Sequence, residues 1–149
     1  MTVDEEPVFN RAWVGVTSGP LGAPVLGRVI GMLAARADCP IDRLDDALLV
    51  ADAVAAKAGS FSEDGRIRAQ IVARLGSVEL HVGPLRTGGA ADLIASTALP
   101  GVGNVLERVA DELEPQEPGG PGEGEYLLIR LDFDTQRPST NDRMESDVT

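Results

Sequence analysis

Two glycine-containing segments have residue types suited to binding a phosphate group. In the first, Gly101 and Gly103 directly precede a stretch with helical periodicity. Glycines let the backbone approach an anion closely, and the N-terminus of a helix directs free amide groups toward it. In the second, Arg86 precedes the pair Gly88 and Gly89 and adds a cationic side chain. Each segment is also compatible with a simpler role, a turn before a helix in the first case and a flexible connection in the second.

A carboxylate, Asp52, lies among small residues in the segment 41–59, which has the pattern of one long amphipathic helix. Apolar residues recur there at steps of three and four, and Pro40 and Gly59 suit its two ends. The predicted apolar stripe consists of Ile41, Leu44, Leu48, Ala51 and Ala55, widened by Ala47, Val50 and Val54. Asp52 would then either border a cavity or lie at the edge of the polar face, and the pattern permits both.

The periodicity of the remaining chain predicts the elements that position these residues. The predicted elements are a strand at 12–17, helices at 21–37 and 41–59, strands at 66–75 and 78–82, an irregular segment at 83–103 with a helical turn at 90–95, a helix at 102–113, a loop at 114–124 and a strand at 125–133. This order predicts an α+β, two-layer sandwich with helices on one face of a mainly antiparallel sheet. We expect one domain at 12–133, a flexible arm at 1–11 and a disordered tail at 134–149.

The composition describes an acidic globular protein. The 149 residues suffice for one sizeable core, and a net charge of −11 with a pI of 4.4 argues against binding to nucleic acids or anionic membranes. A single cysteine, Cys39, excludes a disulfide framework within the chain, as is typical of a reducing compartment. No stretch is long and apolar enough to span a membrane, and the first residues lack the regions of a secretion signal. We therefore expect a cytoplasmic protein.

Several side chains on the predicted polar face of the sheet are candidates for binding. Arginines recur on this face, namely Arg66, Arg68, Arg74 and Arg130. They form either a solvated strand face or a surface for an acidic partner or for self-association. His81, the only histidine, lies on the same face as an exposed strand residue, and a single histidine cannot anchor a histidine-rich metal site. Cys39 precedes the long helix, whose dipole lowers a thiol pKa, but we expect an inert thiol because no partner residue is visible.

The order of elements, together with the segments Leu48–Ala58 and Leu99–Leu113, resembles the histidine-kinase-like ATPase fold. More narrowly, it resembles the small bacterial serine kinases that act as anti-sigma factors. The resemblance extends over about Trp13–Phe133. In that family a Glu on the long helix is followed four residues later by an Asn that ligates Mg²⁺, and these positions correspond to Asp52 and Ala56. The family's adenine-binding Asp corresponds to Gly83, and Asp92 is the only acid nearby.

The resemblance implies roles for the residues introduced above. Asp52 would be the catalytic residue, and the nucleotide-binding residues would be Gly83, Arg86, Gly88, Gly89, Gly101 and Gly103. ATP or ADP is the implied cofactor. Because the methyl group of Ala56 has no lone pair for Mg²⁺, a hard cation that needs oxygen ligands, no metal-binding residue is assigned.

These implications lead to two main hypotheses of function. In the first, the chain is a regulatory protein with a degenerate nucleotide site, and it binds a sigma factor or an anti-sigma antagonist through protein contacts. In the second, it is an active ATP-binding serine/threonine kinase that uses Asp52 as its base and phosphorylates an anti-sigma antagonist. A third interpretation is a regulatory domain that senses a small ligand in the former nucleotide pocket. The resemblance also implies a homodimer.

Overall fold

The computed structural model of the protein describes residues 8–117 and 124–133, which form an α+β structure with a five-stranded sheet and four α-helices. In chain order the elements are β1 (Val8–Thr17), α1 (Gly22–Arg36), α2 (Ile41–Lys57), a 3₁₀ helix (Ala58–Phe61), β2 (Arg66–Arg74), β3 (Ser77–Leu85), α3 (Gly89–Ser96), β4 (Ala98–Leu99), β5 (Gly103–Asn104), α4 (Val105–Val109), β6 (Glu112–Gln116) and β7 (Glu125–Asp132). The large sheet has the order β1-β2-β3-β7-β6, and all its neighbouring strands are antiparallel.

One face of the sheet forms the core, as the alternation in the sequence predicts. In β2, Ile67 and Ile71 are fully buried, whereas Arg68 and Gln70 between them point to the opposite face. Helices α1 and α2 pack against each other and cover the buried face, so the predicted layered arrangement is confirmed. Within the described residues, no helix combines the length and the apolar composition that crossing a membrane requires.

The buried stripe of α2 differs from the predicted one. Ile41 is 79% exposed and Leu48 is 36% exposed, although both were expected to face the core. The buried residues of the helix are Ala47, Val50, Ala51, Val54 and Ala55. Small side chains let α2 approach its neighbours closely, and a Cβ built on Gly27 of α1 would lie only 3.6 Å from Leu48 Cδ2. The larger Leu48 therefore lies at the boundary between the two helices and solvent.

The segment after residue 101 corrects two further predictions. Helix α4 ends at Val109, and Leu113 lies in strand β6 opposite Ile129, where a single helix at 102–113 was expected. The predicted loop at 114–124 is partly strand, because β6 continues to Gln116 along the edge of β7. Backbone pairing with a free strand edge satisfies every second amide of this segment, and it outweighs the helical spacing of the side chains.

Other boundaries differ less from the prediction. Helix α3 forms at the expected helical turn, but the short hairpin of β4 and β5 replaces part of the segment expected to be irregular. Strand β1 begins at Val8 rather than at Ala12. Most of the predicted flexible arm, the predicted tail at 134–149 and residues 118–123 of the predicted loop lie outside the described residues.

Arg43 of α2 ties the helical layer to the sheet. Its guanidinium donates to the carbonyl oxygens of Asp132 and Val109, each at 3.1 Å, and to Asp46 Oδ2 at 2.7 Å. It also donates to the carboxylate of Asp111, whose Oδ2 accepts the Asp132 amide at 2.7 Å. One side chain thus joins α2, the end of α4, the segment before β6 and the end of β7.

We expect Arg43→Leu to lower the free energy of unfolding by about 2 kcal/mol, because it leaves partly buried acceptors without a charged donor. Urea denaturation followed by far-UV circular dichroism measures this change. Arg28→Leu, at an exposed position on α1, is the matched control and should leave the midpoint nearly unchanged. Equal midpoints for the two variants would contradict the role assigned to Arg43.

Candidate functional site

Asp52 lies on the solvent-exposed side of α2, and so does Ala56 one turn later. Its carboxylate forms no hydrogen bond or ion pair with any residue that the structure describes. A catalytic base needs a partner that orients it, and Asp52 has none among the described residues. Of the two interpretations left open by the sequence, the structure therefore favours the polar-face position.

The backbone amides around Gly88 and Gly89 bind an anion, but the anion belongs to the protein itself. The carboxylate of Glu125, the first residue of β7, accepts the Gly88 amide at 3.1 Å and the Ala90 amide at 2.8 Å. Gly88 adopts a positive φ of 79°, which turns its amide toward this carboxylate. A negative group at the start of a helix is favoured by both the free amides and the helix dipole. Glu125 thus occupies the position that a phosphate would take.

Arg86 also has partners within the chain. Its guanidinium lies 3.6 Å from a carboxylate oxygen of Asp92 and 5.5 Å from the centre of the Phe61 ring. Its backbone amide donates to the Phe61 carbonyl at 2.8 Å, which fixes the end of β3 against the 3₁₀ helix. Arg86 and Asp92 therefore form an ion pair between the end of β3 and the first turn of α3.

Gly83 is required for packing between strands. A Cβ at this position would lie 2.7 Å from the Glu125 carbonyl oxygen and 2.8 Å from Cδ2 of Tyr126, so any side chain would clash. Its φ of 153° lies at the point where the pairing of β3 with β7 shifts register. The glycine thus lets the Tyr126 ring lie directly on the backbone of β3.

Gly101 lies in the turn of the β4–β5 hairpin and Gly103 is the first residue of β5, with φ angles of 77° and 94°. The helix that follows is capped by Asn104, whose Oδ1 accepts the Glu107 amide at 3.1 Å. The Asn104 amide group also donates to the Ile94 carbonyl at 2.6 Å, and this contact fixes the hairpin to α3. The simpler interpretation of these glycines, a turn before a helix, therefore describes them.

The arginines lie on the open face of the sheet, as predicted, and three of them are paired with acids. Arg68 lies 2.6 Å from Asp64, Arg74 lies 3.3 Å from Glu79, and Arg130 contacts both Glu112 and Asp132. Strands β2, β3, β7 and β6 thus carry alternating charges across this face, a pattern that stabilises a sheet through cross-strand pairs. Their positive charge is largely neutralised, which weakens the interpretation as a surface for an acidic partner.

The hydrogen bonds on this face lower the pKa of two carboxyl groups. The pKa of Glu79 is lowered chiefly by its hydrogen bond with His81, at 3.2 Å, and further by the charges of Arg74 and Arg130. The pKa of Asp64 is lowered to about 2 by its hydrogen bonds with Arg68 and with the Arg66 amide. Among the described residues, no three His, Cys, Asp or Glu side chains are grouped so that they could hold a metal ion.

Cys39 is a weakly acidic thiol. Burial raises its pKa to about 11, and this effect outweighs the opposing charge of Arg43. Its sulfur lies 3.4 Å from the Pro40 carbonyl oxygen, to which the thiol donates. The expected inert thiol is therefore consistent with its surroundings, and the possible lowering by the helix dipole does not dominate.

A cavity of about 990 Å³ lies on the open face of the sheet, away from the residues predicted to bind a nucleotide other than Gly83. We call it the trough, and six of the residues that line it define it: Trp13, Gly15, Arg68, His81, Glu114 and Tyr126. It runs across the strands from β1 to β6. The trough brings together the only tryptophan and the only tyrosine of the chain. Trp13 is 71% exposed among the residues that the structure describes.

Sequence reasoning did not identify Trp13, Tyr126 or Glu125 as functional. The alternation of Val14 and Val16 around Trp13 already places the tryptophan on the polar face of β1, so its exposure had a local signal. Glu125 had no such local signal, because the amides that it binds lie 37 and 35 residues away in the chain.

No protein-family model matches this chain, and a search of the curated proteins finds no match to it. The geometry of the described residues is therefore the basis for assigning a function.

We expect Glu125→Ala to lower the free energy of unfolding by about 1 kcal/mol, the usual effect of removing a helix cap. The loss should be smaller in Glu125→Gln, which keeps an acceptor oxygen but no charge. Urea denaturation of these variants and of the control Glu63→Ala, an exposed carboxylate, provides the comparison. A Glu125→Ala variant as stable as the control would show that the carboxylate does not hold α3.

We expect Glu79 to add stability at neutral pH that disappears in acid. Because its folded pKa is lowered, the contribution is present above the pKa of the unfolded group, about 4.3, and is lost as the pH falls through the folded value. The stability difference between wild type and Glu79→Gln should therefore shrink from pH 7 toward acid pH. Chemical denaturation at a series of pH values measures it, with Glu63→Gln as control, and a difference independent of pH would contradict this assignment.

Proposed function

We propose that the chain is a bacterial cytoplasmic regulatory protein that acts by binding another protein, and that it has the histidine-kinase-like ATPase fold with a nucleotide site that no longer functions. The observation that carries this proposal is the carboxylate of Glu125 on the amides of Gly88 and Ala90. A phosphate group would have to displace this carboxylate or lie beside it, and two anions in one site repel each other.

The other residues of the implied nucleotide site support the same conclusion. Asn104 caps α4 with its own side chain, and Asp52 and Ala56 are exposed on α2. The space beside Gly83 is occupied by the Tyr126 ring and the Glu125 carbonyl oxygen. The residues present therefore do not fit ATP, ADP or Mg²⁺.

The element order supports the fold part of the proposal. A strand, two helices, a strand hairpin, a variable segment and a further helix follow one another in the order that the resemblance implies, with strand β6 as an addition before the final strand. By that resemblance the partner is a sigma factor or an anti-sigma antagonist, and the protein functions as a homodimer. A regulator without catalytic activity acts by binding its partner. Its affinity for the partner and the rate at which the complex dissociates therefore determine its effect.

We expect isothermal titration calorimetry with ATP and with ADP, each with and without Mg²⁺, to show no binding up to millimolar nucleotide. Micromolar binding that improves with Mg²⁺ would overturn the proposal in favour of a serine/threonine kinase, and a transfer assay with Asp52→Ala would follow. Binding without an effect of Mg²⁺ would instead indicate a nucleotide sensor.

A second experiment tests whether the Glu125 carboxylate keeps a phosphate from these amides. Inorganic phosphate should raise the melting temperature of Glu125→Ala more than that of wild type, because the variant leaves two amides at the start of α3 free for an anion. The control Glu63→Ala should respond to phosphate as wild type does.

A further inference from the structure

The trough crosses the whole sheet, and its lining runs from Trp13 of β1 to Glu114 of β6. On its floor Trp13 lies opposite Gln70, which lies opposite His81, so the lining continues from β1 through β2 to β3. Glu114 of β6 lies at the far side. Because β1 and β6 are the two outer strands, no strand of the sheet closes either end. Five strands at about 4.8 Å spacing give a length of roughly 20 Å, which an extended chain of six or seven residues fills.

One glycine leaves the floor of the trough open. A Cβ built on Gly15 would meet no atom within 4 Å, whereas a Cβ at Gly83 would meet the Glu125 carbonyl oxygen and the Tyr126 ring, which covers the strand there. The exposed Trp13 side chain rises beside Gly15 as a wall. Tryptophan and tyrosine are the side chains that most often dominate the energy of a protein interface, because each buries a large rigid surface and retains one polar group.

The charges of the lining favour a positively charged occupant. Arg68 is neutralised by Asp64 at 2.6 Å, and His81 contacts Glu79. Glu114 and Glu117 are exposed and have no ion-pair partner within the part of the chain that the structure describes. The net charge of −11 attracts basic segments and repels nucleic acids. Exposed aromatic faces add a cation–π attraction for arginine or lysine.

We propose that the trough binds an extended segment of a protein partner in which an arginine or lysine is adjacent to apolar residues. The cation lies between the Tyr126 ring and the two glutamates of the β6 side, and the apolar neighbours extend along the trough to Gly15 and Trp13. This inference rests on the proposed function in protein binding, and it names the surface and the chemistry of the partner.

The structure allows a variant that blocks the trough without disturbing the fold. Gly15→Val fills the open space above the floor, and valine is favoured in strands. Trp13→Ala removes one wall, and the double variant Glu114→Gln, Glu117→Gln removes the unpaired charges. The controls are Met32→Ala, a 59% exposed apolar residue on α1, and Glu63→Gln, an exposed carboxylate elsewhere. Circular dichroism verifies the fold of each variant.

The test is selection of a phage-displayed library of random heptapeptides on the wild-type protein, followed by fluorescence polarisation of the enriched peptides on each variant. We expect enriched peptides to contain arginine or lysine beside apolar residues. Their affinity should fall by about tenfold or more in Trp13→Ala and Gly15→Val. It should fall with added salt and in the double glutamine variant, and both controls should bind as wild type does.

Several results would overturn the inference: no enriched peptide, enrichment of acidic or uncharged peptides, or unchanged binding to Gly15→Val and Trp13→Ala. Peptides whose binding is lost only in Met32→Ala would place the contact on the helical face, so that protein binding stands while the trough inference fails. The calorimetric titration with Mg²⁺ and ATP tests the proposed function separately, because it does not depend on any trough residue.

Discussion

The structure depends on two polar attachments at opposite ends of β7. At the first residue of the strand, the Glu125 carboxylate holds the amides of Gly88 and Ala90 at the start of α3. At its last residue, the carbonyl of Asp132 accepts a hydrogen bond from Arg43 of α2. Hydrophobic burial packs the helices against the sheet but does not fix their position along the strands. Directional hydrogen bonds to charged groups at both ends fix that position.

The core is built almost without aromatic residues, and this has shaped both faces of the sheet. The buried cluster consists chiefly of Ala, Val, Leu and Ile, with Phe133 as its aromatic member among the described residues. Small side chains on α1 and α2 bring the helices close to the strands. Trp13 and Tyr126 instead lie on the open face, where their large surfaces are available for contact. The large side-chain surfaces available for contact with another molecule therefore lie on the open face of the sheet and not between the sheet and the helices.

Much of the fold followed from local patterns, whereas the errors involve contacts between distant residues. The period of two in β2 and the helical spacing in α1 gave the layers correctly, because each pattern is set by the geometry of its own element. Strand β6 was missed because Leu113 has helical spacing and becomes a strand residue only beside Ile129.

At the candidate site, too, the error involves a contact between distant residues. The glycines at 88 and 89 do present amides to an anion, but only the folded chain brings Glu125 to them. The residue types thus predicted that these amides can bind an anion. The topology of the chain determined that the anion is the Glu125 carboxylate.

The position of Trp13 changes how the protein must be observed. A single tryptophan usually lies in a core, so its emission shifts to the red when the chain unfolds. Here the indole is already 71% exposed in the native state, and unfolding changes its surroundings little. Intrinsic fluorescence will therefore follow denaturation poorly, and circular dichroism is the better probe of stability. The same property makes the indole a spectroscopic reporter confined to one surface, which responds when a molecule covers the sheet and is nearly silent to events in the helical layer.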